Sequence, residues 1–406
     1  VSMNRERILK GLGTFWSNTR TNTRKVLLAL PYVLLAAGVV LSIVSGVRLF
    51  QIQDKQKSQI AAEIWSGESG ITYRQVSCFA RGQKQIDGGP DQYLTSDYSL
   101  SLTEIEKIRE SLDQTISSSF GLEDEDETPN QPDKSETEDR FWIDAYSASC
   151  DATVTSLATD VSDEIPAEVN LTGVGGEFYV IHPMKMESGA FLQANMLDTK
   201  KIVLDTELSF ELFGTYQVIG RSVMIGQREY VIVGVVRHAS TEIDQKTQGD
   251  KLRAYIPFAE LAYLLPADDS GLQLDQQLPG TLDGSSSPRL DSIAITCYEA
   301  VLPNRIKGIA MANLLTAFET SGKMDKNFLF VDNTERFSPL RLWDMVFPAG
   351  ETQYQRQGFT LPFWESSAQM AESTSVFWWS MVVLGSIQIL WGLLTIYIRL
   401  VKRKFA

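Results

Sequence analysis

Lys201-Ile-Val-Leu-Asp-Thr-Glu-Leu-Ser-Phe-Glu-Leu-Phe-Gly214 is the stretch whose reading decides the fold. Ile202, Val203 and Leu204 make a short strand. Asp205 opens a short helix, and Gly214 closes it, because glycine takes the left-handed cap conformation at little cost. Downstream, Arg221-Ser-Val-Met-Ile225 and Glu229-Tyr-Val-Ile-Val-Gly-Val-Val236 are strand-like, and Gly226-Gln227 supplies a tight turn that makes them a hairpin. Glu177-Phe-Tyr-Val-Ile181 also reads as a strand. The segment from about 165 to 260 is therefore mainly β, followed to residue 287 by a strand, a helix and a Gly/Ser/Pro loop.

Outward from this segment lie two strand–helix–strand trios. In the first, Ile71–Ala80 and Phe141–Cys150 are strands, and Ser101-Leu-Thr-Glu104 is a capping box. That box opens a helix with Leu102, Ile105, Ile108, Leu112 and Ile116 at helical spacing. In the second, Asp291–Tyr298 and Asn327–Asp332 flank a helix over Asn304–Thr320 with Ile306, Ile309, Ala310, Leu314 and Phe318 as its apolar set. The fold class is α+β: a split βαβ layer over about 67–164 and 288–335, with a mainly-β subdomain inserted at about 165–260. The acidic run from Glu123 to Asp139 is a solvated loop without the ligand alternation of a calcium loop.

Further out lie two apolar runs, Val26–Phe50 and Val376–Ile398, of 25 and 23 residues. Each is long enough to cross a bilayer as one helix. The first is too long for a signal-peptide core and lacks a small-residue cleavage site, so an uncleaved helix is expected over a cleaved leader. With the tails 1–25 and 399–406 at +5 and +4 and the chain at −14, residues 26–398 carry −23. Positive charge marks the cytoplasmic side, which places both termini inside and residues 51–375 outside. Residues 1–25 read as an amphipathic cytoplasmic segment, or as a frayed basic tail that only sets topology. Gln388 lies mid-span, where a polar side chain turns to another helix, and is the candidate for helix packing. Such an acidic outer domain excludes nucleic acid as a partner.

From Met186 to Val236 the chain resembles the extracytoplasmic core domain of MacB-like, FtsX-related ABC transporter permeases. The resemblance rests on Glu187-Ser-Gly-Ala-Phe191, on the strand and helix ending in Leu212-Phe213-Gly214, on the turn Val218-Ile-Gly-Arg-Ser222 and on the closing strand Tyr230–Val236. Arg221 stands where a lysine is commoner. Gly189, Leu204, Leu212, Phe213, Gly214, Gly220, Gly226 and Gly234 are the residues of the pattern, and their reading is structural. The resemblance implies a bacterial inner-membrane component with membrane lipid around it. Its implied partners are a separate ABC ATPase and a further permease subunit, or other copies of the chain. Fuller permeases of this type have four helices; a two-span relative and an incomplete product of a split gene are both open readings. No Walker sequence occurs, so the energy must come from a partner.

No residue is assigned to catalysis, a cofactor or a metal. His182 and His238, the only histidines, lack a nucleophile motif or ligand spacing around them. Cys78 and Cys150 lie in the two strands of the first trio, and neighbouring strands would allow a disulfide; Cys297 is expected as a buried thiol. The expected function is a non-enzymatic transporter component whose outer domain handles an amphiphilic or peptide substrate or relays ATP-driven motion. The alternative is a tethered sensing or binding module that has lost transport.

Overall fold

The computed structural model describes residues 2–69, 71–81, 83–84, 92–93, 98–120, 140–157, 165–194, 196–238, 242–248, 251–264, 293–324, 327–334, 336–346, 359 and 361–404. The acidic run and the 280–288 loop lie outside them. The chain divides into two units, Val1–Asp54 with Ala371–Ala406, and Lys55–Met370.

The larger unit begins with helix α2 (Ala61–Ser69) and strand β1 (Tyr73–Ala80), then the short ribbon β2 (Gln83–Lys84) and β3 (Gln92–Tyr93). Helix α3 (Leu102–Phe120) leads into β4 (Ile143–Ser156). The inserted segment holds β5 (Pro166–Gly176), α4 (Phe178–Ile181), β6 (Lys185–Gly189), β7 (Lys201–Asp205), α5 (Thr206–Phe213), β8 (Ser222–Ile225), β9 (Arg228–Arg237), α6 (Glu242–Gln248) and β10 (Leu252–Pro257). The unit closes with β11 (Cys297–Pro303), α7 (Ile309–Thr320), β12 (Phe328–Asp332), α8 (Pro339–Val346) and the first turns of α9 (Phe363–Lys404).

Among the described residues, ten strands form one mixed sheet in the order β12-β1-β11-β4-β5-β10-β7-β9-β6, with β8 pairing β4 and β9. β11 lies antiparallel between β1 and β4, and β1 lies antiparallel between β11 and β12. Both trios are thus split βαβ units that interleave, and the inserted strands extend the same sheet through the long β4–β5 pairing. The capping box forms: Glu104 Oε2 accepts from Ser101 N at 2.8 Å, and Ser101 Oγ accepts from Glu104 N at 3.3 Å. Ile105, Ile108, Leu112 and Ile116 of α3 and Ala310, Leu314 and Phe318 of α7 bury against Val76, Cys78, Tyr298 and Ala300 of the sheet.

Four local expectations change. Phe178–Ile181 is a helical turn. Gly176, at φ 66, turns the chain out of the sheet, where a Cβ would meet Asp144 O at 2.5 Å. Glu177 O then accepts from Val180 and Ile181 N–H groups. The strand of this region is β5, whose Ala167, Val169 and Leu171 face the core; Pro166 sits at its first residue, where no ladder donor is required. The third central strand runs to Pro303 instead of ending at Tyr298, because Glu299 is accepted into the interior by polar partners. Helix α7 starts at Ile309, with Asn304 Oδ1 accepting from Gly308 and Ala310 N–H groups, so Ile306 lies before the helix and is 72% exposed.

The smaller unit holds α1 (Ser2–Lys55) and α9 from Ala371 onward. α1 is unbroken, so the N-terminal segment and first span form one helix. The apolar stretches Leu28–Lys55 and Phe363–Arg403 are long enough to cross a membrane. Val33, Val40, Ile43, Leu390 and Trp391 are exposed along them, as lipid contact requires. The two helices run antiparallel and meet at small residues: a Cβ on Gly38 would come 2.7 Å from Gly385 O, and one on Gly385 would come 2.4 Å from Ser42 Oγ. Arg399 Nη1 donates to Leu28 O at 3.0 Å at one end of this seam.

Candidate functional site

Side chains alternate across a strand, so β1 and β11 each divide into two faces. Val76, Cys78 and Ala80, with Tyr298, Ala300 and Leu302, face α3 and α7. The opposite face takes Tyr73, Phe79, Cys297 and Val301, and with them the polar Gln75, Ser77 and Glu299. These three are buried to within 2%, which demands partners.

Ser77 and Glu299 are directly opposed in the register. Ser77 Oγ donates to Glu299 Oε1 at 2.7 Å, and Asn333 Nδ2 donates to Ser77 Oγ at 2.7 Å. Arg336 Nη1 donates to Asn333 Oδ1 at 3.2 Å, and its guanidinium forks onto Glu365 at 2.6 and 2.7 Å. At the other end, Glu299 Oε2 pairs with His182 Nε2. Burial pushes the Glu299 carboxyl up, but attraction to His182 and hydrogen bonds from His182, Ser77 and Cys297 outweigh it and hold the group below its ordinary range. The His182 ring in turn packs on Trp364, the neighbour of Glu365, with centroids 4.5 Å apart. Glu365, Arg336, Asn333, Ser77, Glu299 and His182 therefore form one buried circuit that starts and ends at the head of α9.

The segment following α1 is tied to the same face. Gln75 Oε1 accepts from Ala61 N at 3.2 Å, and Gln75 Nε2 donates to Ser58 O at 2.7 Å. Gln56 Nε2 donates to Ser367 Oγ at 3.5 Å. Bidentate, nine-tenths-buried pairing of Arg336 with Glu365 fixes geometry more than it adds net stability. Its hydroxyl, amide, guanidinium and carboxylates are bonded to one another, and the arrangement is a clasp.

Beside the clasp opens a cleft of about 190 Å³. Its cations are Lys55, Lys185, Arg237 and Arg253, its aromatic wall includes Phe178, Tyr255, Phe363 and Trp364, and among the described residues no carboxylate lines it. The Arg253 guanidinium lies over the Phe363 ring, 4.5 Å from its centroid. Burial pushes the Tyr255 phenol up, and burial followed by the Arg253 charge pushes His238 down to about 3. The Tyr255 hydroxyl and His238 Nε2 share a hydrogen bond at 3.1 Å.

The residues singled out from sequence fall elsewhere. Cys78 and Cys150 do not form the expected disulfide: β11 separates their strands, Cys78 is paired with Tyr298 and Cys150 with Leu171, and all three cysteines are free. Burial raises all three thiols, Cys150 to about 11. Gly189 and Gly234 oppose each other at the β6–β9 edge, and a Cβ on either would come within 2.3 Å of a backbone carbonyl, Val233 O or Ala190 O. Leu204 and Leu212 are core, Gly214 caps α5 in the left-handed region, and Gly220 and Gly226 also have positive φ. Phe213 carries the Arg221 guanidinium over its ring. Gln388 lies on the α1–α9 seam, its Cβ 3.1 Å from where a Cβ on Gly38 would stand. Sequence reading passed over the clasp and the cleft. The available signal was polar residues in strands that otherwise read as buried.

Residues 35–301 match the family model of the MacB-like periplasmic core domain. Among solved structures, the chain is similar to the periplasmic region of MacB from Actinobacillus actinomycetemcomitans, with 13% identity, a TM-score of 0.39, and coverage of 70% of this chain and 96% of that one. It is also similar to the extracellular domain of the noncanonic ABC-type transporter YknZ from Gram-positive bacteria, with 10% identity, a TM-score of 0.35, and coverage of 63% and 99%. No curated protein matches the chain.

Proposed function

Because the chain belongs to the MacB-like periplasmic core domain family, and is a membrane component of the ABC-transporter type with an extracytoplasmic segment, we propose that its outer domain relays motion driven by a separate ABC ATPase. The clasp carries this reading. The first residues of α9, within the larger unit, are held to the sheet through Glu365, Arg336 and Asn333, so displacement that reaches them acts on β1 and β11. Rigid secondary elements joined by buried polar bonds transmit displacement instead of absorbing it.

Both termini are cytoplasmic in this proposal, following the basic tails. Mild-detergent purification of the full chain from its own cells tests the partnership. Recovery of an ABC ATPase in fixed proportion supports it; repeated recovery of the chain alone counts against it. The second reading, a tethered binding module without transport, is favoured by the cleft. Saturable ligand binding by a chain that never associates with an ATPase is its signature.

A further inference from the structure

In a chain of net charge −14, the cleft between α4, the end of β9 and the head of α9 gathers four cations and no acid among the described residues. The carboxylate of Glu187 reaches Arg237 at 2.8 Å without lining the cleft, and Arg237 remains half exposed. Glu299 lies behind His182, already held by Ser77 and His182. Two polar atoms of side chains that line the cleft, Trp364 Nε1 and His182 Nδ1, are buried with no hydrogen-bond partner among the described residues. Their side chains are 4% and 2% exposed. An indole N–H can only donate, so what completes it must bring an acceptor oxygen.

Phe178, Met184 and Phe363 supply apolar wall beside the cations, with Gln56, Ser58 and Ser367 among the polar remainder. A cleft of about 190 Å³ holds roughly six waters, which suits a headgroup and not a folded peptide. Arginine and lysine with a fixed N–H donor are the set that recognises phosphate oxygens, and an aromatic margin suits the carbon attached to them.

We propose that this cleft binds the phosphate group of an anionic amphiphile, with Lys185, Arg237 and Arg253 neutralising its charge, Trp364 Nε1 donating to a phosphate oxygen, and Phe178 and Phe363 covering the adjoining glycerol carbons. The inference deepens the transporter reading by naming a ligand class, and rests on it only for the membrane as the ligand's source.

The test is a binding titration of the full chain in neutral detergent with four probes: dihexanoyl phosphatidylglycerol, dihexanoyl phosphatidylcholine, glycerol phosphate and inorganic phosphate. Saturable binding of the phosphatidylglycerol is expected, at least tenfold tighter than of phosphatidylcholine. The double substitution Lys185→Gln with Arg237→Gln, both on exposed side chains, is expected to weaken it at least tenfold, and raised salt to weaken it further. Trp364→Phe keeps the aromatic wall, removes the donor and should cost severalfold. No binding, or binding indifferent to the double substitution in a chain with an unchanged thermal transition, overturns the proposal. Equal affinity for inorganic phosphate and phosphatidylglycerol overturns the amphiphile and leaves a soluble phosphate. None of these probes needs an ATPase, so failure here leaves the transporter reading standing, and loss of that reading leaves this result intact.

Discussion

Glu299 is the residue on which the clasp turns, since it joins the sheet's centre to α4 through His182. Its carboxyl is held below the ordinary value of 4.5 in the folded chain. The ionised form therefore contributes stability that is fully present above about pH 4.5 and is lost as pH falls through the lower folded value. Glu299→Gln should cost about 2 kcal/mol at neutral pH by removing the ionised acceptor that Ser77 and His182 share. It should also flatten the acid limb of stability, and pH-dependent unfolding of both chains in detergent checks this: parallel acid limbs contradict it. At the opposed pair Gly189 and Gly234, a Cβ on Gly189 meets Val233 O at 2.1 Å and φ is 70. Gly189→Ala should cost about 2 kcal/mol in the same assay. These two glycines were legible in the sequence as part of a family pattern. Glu299 was not, because its partners lie 222 and 117 residues away in the chain, and no local periodicity connects them.

Among elements, α9 carries the clasp's Glu365 in its first turn. Breaking its clasp at one side should be costly: Arg336→Met leaves Glu365 buried and unpaired, for about 3–5 kcal/mol. The double change Arg336→Met with Glu365→Met should recover most of that loss, a non-additivity that thermal unfolding of the three chains reads directly. The seam between α1 and α9 gives a matched pair of substitutions. Gly385→Leu drives a side chain into Ser42 and the Gly38 backbone and should cost about 2 kcal/mol or more, whereas Gly46→Leu, with nothing within 4 Å, should stay within about 0.5 kcal/mol. Sequence periodicity located α3, α5, the β8–β9 hairpin and both apolar helices. It misread Phe178–Ile181, where four strand-forming residues are turned into a helix by Gly176 and the hydrogen bonds of Glu177. It passed over β5, whose Gly173 and Gly175 look like turn residues. They are in fact places where Leu261 and Tyr146 cross the strand, within 2.3 Å of a notional Cβ.

For the whole molecule, the split βαβ layer and the inserted strands were each legible, and their fusion into one sheet was not, since nothing local announces that β4 and β5 pair along eleven positions. Orientation has a direct check. Cys78 and Cys297 are buried, and Cys150 is half-buried with its thiol raised to about 11, so an added cysteine reports against a quiet background. A Leu197→Cys chain, altered at a fully exposed residue of the outer domain, should react with a membrane-impermeant maleimide in intact cells; labelling only after lysis contradicts the topology. The relay itself is tested most directly by hydrogen exchange of the full chain bound to the proposed ABC ATPase, with and without ATP. ATP should change protection in the clasp segments 55–69, 297–303, 328–334 and 363–370 together, and identical exchange in all four, with ATP being hydrolysed, would contradict the relay.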